Sequence, residues 1–135
     1  MAKRRETNRK DHCPCGAVQP LAACCGPYLD GALPPNAEAL MRSRYTAYAL
    51  GHVEHIRRTW APETCPADLR LDDEQHWLGL KIRSVEAGGP GDTEGYVEFV
   101  ARFKRAGRAV RLLERSRFRQ VDGRWLYVSG TVPAA

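Results

Sequence analysis

The chain has 135 residues, 43% of them hydrophobic, and a formal net charge of +5, which suits one domain of ordinary core size with a small appendage. No apolar run is long enough to cross a membrane as a helix. Residues 1–12 lack the apolar centre of a signal peptide, so the expected location is the cytoplasm.

Residues 1–12 hold five basic and two acidic side chains, residues 13–69 four and five, and residues 70–135 twelve and nine. The first stretch is polar and without periodicity, and is expected to be a disordered basic tail. Such a tail can meet RNA, ribosomes or acidic lipid through counterion release, or stay solvated.

Four of the five cysteines follow within residues 13–33. Cys13 and Cys15 form one pair and Cys24 and Cys25 the other, with eight residues between the inner members. This spacing lets a loop point four sulfurs at one centre, as tetrahedral zinc requires. The alternatives are disulfides or unrelated thiols. Adjacent Cys24 and Cys25 do not suit a bond to each other. The odd cysteine, Cys65, and the lack of a signal peptide favour metal over disulfides. Zinc is therefore the expected cofactor, with Cys13, Cys15, Cys24 and Cys25 as ligands and His12 as a solvated neighbour. So short a segment needs the metal to fold.

Leu33-Pro34-Pro35 is a breaker, and residues 34–135 are read as a separate domain. Asn36 is the expected N-cap. Residues 37–50 have helical periodicity, with Leu40, Met41, Tyr45 and Tyr48 on one face, Arg44 on or beside it and Arg42 elsewhere. Gly51 ends the helix. A second helix is expected from His52 to about Trp60, stopped by Ala61-Pro62, and a short helical turn at residues 70–76.

Beyond Trp77 the period changes to two. Leu78, Leu80 and Ile82 alternate with polar residues. Val97, Phe99, Ala101 and Phe103 share one strand face. Val110, Leu112, Glu114, Ser116 and Phe118 share another, with Arg111, Arg115, Arg117 and Arg119 opposite. Asp122-Gly123 signals a hairpin, and Arg124 to Thr131 is the last strand. Helices followed by a four-stranded antiparallel meander give an α+β fold, with the sheet curled around the helices.

Cys13-Pro14-Cys15-Gly16 followed by Cys24-Cys25-Gly26-Pro27 resembles the SEC-C motif, the zinc module first noticed at the carboxyl end of the SecA translocation motor. SecA-type motifs usually carry histidine at the fourth ligand position, where this chain has Cys25. That variant, with Leu40-Met41-Arg42-Ser43-Arg44-Tyr45-Thr46-Ala47-Tyr48, Thr59-Trp60, Glu114-Arg115-Ser116-Arg117-Phe118 and Asp122-Gly123-Arg124-Trp125, is similar to the bacterial YchJ family of uncharacterised proteins. The resemblance implies a cystatin-like cone of the nuclear transport factor 2-like kind behind the zinc module. Ala17-Val18 stand where the family usually has Ser-Gly, so a glycine able to take positive φ is missing and a different loop path is expected there.

Glu114 breaks a local rule, because it lies on an apolar strand face. An unpaired carboxylate there is costly. Arg44, Tyr45, Tyr48, His76 and Trp77 are the side chains most able to reach it, as a buried polar pair with Arg44 or as the lining of a ligand pocket. No phosphate-binding loop, dinucleotide fingerprint or serine-nucleophile elbow is present. The leading expectation is a non-enzymatic zinc-dependent adaptor that docks a protein partner or the ribosome. The alternatives are a small-molecule-binding protein or enzyme using Glu114 in the cone interior, and an RNA-binding protein using the basic tail and the arginine-rich strand, with Trp125 or Tyr127 stacking on bases.

Overall fold

The computed structural model describes residues 12–133. The basic arm expected to be disordered lies, except for His12, outside the described residues. Behind Cys13 come a single 3-10 turn, Leu21–Ala23, and a one-turn helix, α1 (Gly26–Leu29). Two further helices follow, α2 (Ala37–Leu50) and α3 (Val53–Arg58). The strands are β1 (Gln75–Ala87), β2 (Glu94–Arg105), β3 (Arg108–Val121) and β4 (Arg124–Thr131). They form one antiparallel sheet in the order β1-β2-β3-β4, giving the expected α+β meander.

α2 begins where the Asn36 side chain accepts a hydrogen bond from the backbone N–H of Ala39 at 2.7 Å, which satisfies one of the unpaired donors of the first turn. It ends at Gly51, whose φ of 83° is left-handed. Leu40, Met41 and Tyr45 of α2 pack on Val97, Phe99, Ala101, Phe118 and Trp125 of the sheet. Full burial of side chains such as Leu40 and Phe118 contributes about 1.5–3 kcal/mol each. Ala47 meets Leu29 and Ile56 on a second side of α2, and Thr46 reaches Cys13 on a third. The helix is thus a central post, which a one-sided apolar pattern does not anticipate.

α3 stops at Arg58, two residues earlier than expected. Thr59 and Ala61 instead pair with β4: the Tyr127 N–H donates to the Thr59 carbonyl and the Ala61 N–H to the Tyr127 carbonyl, each at 2.8 Å. This short parallel bridge, Trp60 to Tyr127, satisfies backbone groups that another helical turn would have used. The helical turn expected at residues 70–76 is absent. Asp72 instead accepts from the Glu74 N–H at 2.9 Å, and β1 starts at Gln75.

β1 departs from its expected alternation. A bulge between Trp77 and Gly79 shifts its register against β2, and an extra residue reverses the side-chain faces on either side. Trp77, Leu80 and Ile82 therefore face the core, while Leu78 is 52% exposed. β2 keeps its expected face, with Val97, Phe99, Ala101 and Phe103 buried. The hairpins at Ala106-Gly107 (φ 53° and 78°) and Asp122-Gly123 (φ 51° and 79°) have positive φ at both central residues, as two-residue turns between twisted strands prefer.

Candidate functional site

The four cysteines of the N-terminal loop converge. Their sulfurs all lie within 4.8 Å of one another, and Cys15 Sγ is 3.7 Å from Cys24 Sγ. Sulfurs about 2.3 Å from a tetrahedral ion stand about 3.8 Å apart, so the set fits such an ion. All five cysteines are free thiols. Cys13, Cys15 and Cys25 are buried and Cys24 is half-buried. His12 is not in the set.

Local structure explains the convergence. The Cys13 N–H donates to the Gln19 carbonyl and the Gly16 N–H to the Cys13 carbonyl, closing the first loop. Gly16 supplies the left-handed turn at φ 95°, and neither Ala17 nor Val18 has positive φ. The residues in place of Ser-Gly therefore need no unusual backbone conformation here. At Gly26 a β-carbon would stand 2.8 Å from the Leu21 carbonyl oxygen, so only glycine lets the second pair fold onto the first.

α2 supports the cluster with two residues that the sequence reading did not assign to it. Arg42 donates from Nη1 to the Cys15 carbonyl at 3.1 Å and lies 3.9 Å from Cys15 Sγ. Its Nε donates to Glu38 at 2.9 Å. Thr46 Oγ1 is 3.6 Å from Cys13 Sγ. Arg42 lies off the apolar face of α2, as the helical periodicity predicts. The cluster occupies that other side, and no pattern internal to the helix reveals it.

The thiols cannot all ionise together without a cation. A hydrogen bond from Cys25 outweighs burial and pulls Cys15 down to about 5. Burial, and then the Cys15 charge, push Cys24 up to about 12. The hydrogen bond to Cys15, with burial, pushes Cys25 up as well. One thiolate held by its neighbours' S–H groups is a set poised to lose protons to a metal.

A second site lies between α2 and the sheet. A cavity of about 250 Å³ is lined by Arg44, Tyr45, Tyr48, Trp77 and Glu114, together with Trp60, Ser116 and Tyr127. His76 does not join them: it is exposed, because β1 turns Trp77 inward instead. Trp77 packs against Tyr45, Tyr48 and Phe103, with ring centroids 5.5, 6.0 and 5.1 Å away.

Arg44 and Glu114 do not form the expected direct pair. Arg44 is buried and donates from Nη1 to the Ile56 carbonyl at 2.9 Å and to Thr59 Oγ1 at 2.8 Å. Its guanidinium carbon lies 4.5 Å from the Tyr127 ring centroid and 5.0 Å from that of Trp60. Glu114 instead accepts from Ser116 Oγ at 2.7 Å and from the Tyr127 hydroxyl at 3.5 Å. Tyr127 thus offers its face to the cation and its hydroxyl to the carboxylate. Burial pulls Arg44 below its usual range. Burial, followed by the Glu114 charge, pushes Tyr127 up to about 12.

The arginine row of β3 is largely neutralised. Arg115 pairs with Glu86 at 2.7 Å, Arg117 with Glu94 at 2.6 Å, and Arg119 with Glu63. Trp125 is buried in the core and Tyr127 lines the cavity, so neither is available to stack on an RNA base beside that row. Cys65 is half-buried, and its thiol donates to the Pro66 carbonyl at 3.6 Å.

Comparison with known proteins agrees with this architecture. The profile described as the YchJ middle NTF2-like domain matches residues 36–130. A UPF0225 protein of Chromobacterium violaceum is 54% identical over 125 residues, which cover 89% of this chain and 92% of the relative. A UPF0225 protein of Deinococcus radiodurans is 48% identical over 118 residues, 86% of this chain and 85% of the relative. The solution structure of a SEC-C motif containing protein from Rhodopseudomonas palustris superposes with a TM-score of 0.78 at 37% identity, over 91% of this chain and 99% of that one. The crystal structure of a SEC-C motif containing protein from Psychrobacter arcticus gives 0.69 at 31% identity, over 91% and 83%.

Proposed function

Because the chain belongs to the YchJ family, with SEC-C motif proteins among its structural relatives, we propose that it is a non-enzymatic, zinc-structured adaptor whose N-terminal module docks a protein partner or the ribosome. The observation that carries this reading is the closed cysteine cluster braced on α2. Four sulfurs complete a tetrahedral shell and leave no open position for a substrate, which is the arrangement of structural rather than catalytic zinc. Arg42 and Thr46 tie the cluster to α2, and Leu80 of β1 packs against it. The outer loop is therefore presented on a firm support, with Val18 77% exposed at its tip. Free thiols suit a reducing compartment such as the cytoplasm, and no helix among the described residues is long and apolar enough to cross a membrane.

Co-sedimentation with bacterial ribosomes and affinity capture from cells test this reading, comparing the natural chain with Val18→Asp and with the double variant Cys24→Ser, Cys25→Ser. Both variants should lose retention. Equal retention of all three would overturn the adaptor.

A second reading is favoured by the cavity at Glu114. It combines a carboxylate, a buried guanidinium and tyrosine hydroxyls with apolar walls, as small-molecule sites do. Mass spectrometry of material released from the denatured protein tests it: one stoichiometric compound, absent from Glu114→Ala protein, is the supporting result. Its absence from both proteins leaves the adaptor alone.

A further inference from the structure

Two arginines on the outer sheet face stand apart from the paired ones. Arg102 of β2 and Arg111 of β3 are set directly opposite each other by the register. Both are exposed, and neither has a carboxylate within ion-pairing distance among the described residues. Like charges facing each other across strands are destabilising. On β1 the position facing Arg102 is Gly79, so the row continues without a side chain. Lys81 follows on the same outer face, opposite Val100.

These residues line one groove of about 910 Å³, walled by Cys13, Pro14 and Gly16 of the N-terminal module. Trp77 and Tyr45 border it from the core side of the sheet, past the β1 edge. His12 borders it, and the eleven residues before His12 carry five basic side chains against two acidic ones. Cationic side chains lining one groove, with no carboxylate set against the Arg102–Arg111 pair, are the elements of a nucleic-acid backbone site, in which cations follow the phosphates.

We propose that this groove binds single-stranded RNA, with Arg102, Arg111 and Lys81 on the phosphates. Its concave shape, walled by the module, does not suit a flat lipid surface. The proposal deepens the adaptor reading by naming RNA as the ribosomal component that is touched, and it rests on that reading only for the ribosome as the source.

The test is fluorescence anisotropy of the full chain with a labelled oligouridine of about twenty nucleotides, across a salt series. Arg102→Gln combined with Arg111→Gln should weaken binding roughly 10–50-fold at low salt and reduce the slope of log affinity against log salt by about 1.4, at about 0.7 per lost single-strand phosphate contact. Lys81→Gln should lower the slope by about half as much. The control pair Arg115→Gln, Arg117→Gln should change affinity less than about twofold. Unchanged thermal melting shows that each variant is folded. No oligouridine binding at low salt, equal loss in the control pair, or binding to anionic phospholipid vesicles in place of RNA would overturn the proposal. Ribosome co-sedimentation separates it from the adaptor reading. Sedimentation without oligouridine binding sinks the RNA groove alone. Oligouridine binding without retention of any partner sinks the adaptor alone.

Discussion

The carboxylate of Glu114 lies against the backbone of Gly130, so closely that a β-carbon at Gly130 would stand 2.2 Å from Oε2 and 2.4 Å from the carboxyl carbon. Gly130 pairs with Ser116 across β3 and β4, and Ser116 is the residue that donates to Glu114. A missing side chain on one strand therefore makes the berth for a charged one on the next.

Gly130→Ala should thus displace Glu114 and break its bond to Ser116. The expected cost is about 1–3 kcal/mol from overpacking, read as a lower denaturant midpoint with unchanged m-value. In a double-mutant cycle most of that cost should vanish when Glu114 is already alanine. Equal costs in both backgrounds would show that the contact is irrelevant.

Arg44 and Glu114 should differ in what their loss does. Arg44→Met leaves the Ile56 carbonyl and Thr59 Oγ1 without their shared donor and strips the rings of Trp60 and Tyr127 of their cation. A loss of roughly 2–4 kcal/mol is expected. Glu114→Gln keeps an oxygen for Ser116 and should cost about 1 kcal/mol or less. Chemical denaturation of the two single variants checks this, and the reverse ranking would refute the Tyr127-bridged arrangement.

His55 predicts a pH dependence. Its Nε2–H donates to Ser43 Oγ at 2.8 Å, Ser43 Oγ donates to the Leu40 carbonyl, and Nδ1 accepts from Arg58 at 3.0 Å. Only the neutral ring fits this chain of bonds. Burial, then the Arg58 and Arg44 charges and His52, pull His55 down from 6.5 to about 4. The unfolded chain then binds more protons than the folded one between those values. Stability from this group is complete above about pH 6.5 and falls as the pH drops towards 4, by on the order of 2 kcal/mol once screening is allowed for. Denaturant midpoints measured from pH 7 to 4.5 should decline in the natural chain and much less in His55→Gln.

Removal of metal should act first on the module. Arg42→Ala, which deletes the bond to the Cys15 carbonyl, should lower zinc affinity about 10–100-fold, as loss of a supporting group does, in competition with a chromogenic chelator. A chain beginning at Ala32 should still unfold cooperatively, because the core of α2 and the sheet is its own. Its midpoint should be lower, since Leu80 loses the cysteine cluster it packs against. A single chelator-induced melt of the whole chain would show instead that the module and the cone are one folding unit.

The sequence by itself determined what is carried by short-range chemistry. Paired cysteines at close spacing announce a cluster of four sulfurs that fits a metal ion, because one loop brings them together. Asn36 and Gly51 bound α2 through hydrogen bonds and a left-handed turn that belong to the helix ends. Asp122-Gly123 sets a hairpin, and alternation along β2 sets its inner face. Each follows from residues a few positions apart.

Tertiary structure decided the relations between elements. The bulge at Leu78 reverses part of β1 and sends Trp77 inward and His76 out, and no local signal marks where the extra residue goes. Arg42 reads as a surface residue of a helix until a separate loop lands on it. The arginines of β3 look like one basic row, yet Glu86, Glu94 and Glu63 arrive from three other segments and neutralise most of it. The unneutralised pair, Arg102 and Arg111, lies nine residues apart on two strands and meets only through register. Arg44 and Glu114 share a cavity as expected, but Tyr127 stands between them because β4 pairs with the chain leaving α3. Charge and cavity chemistry depend on which distant residues come within a few ångströms, and packing alone fixes that.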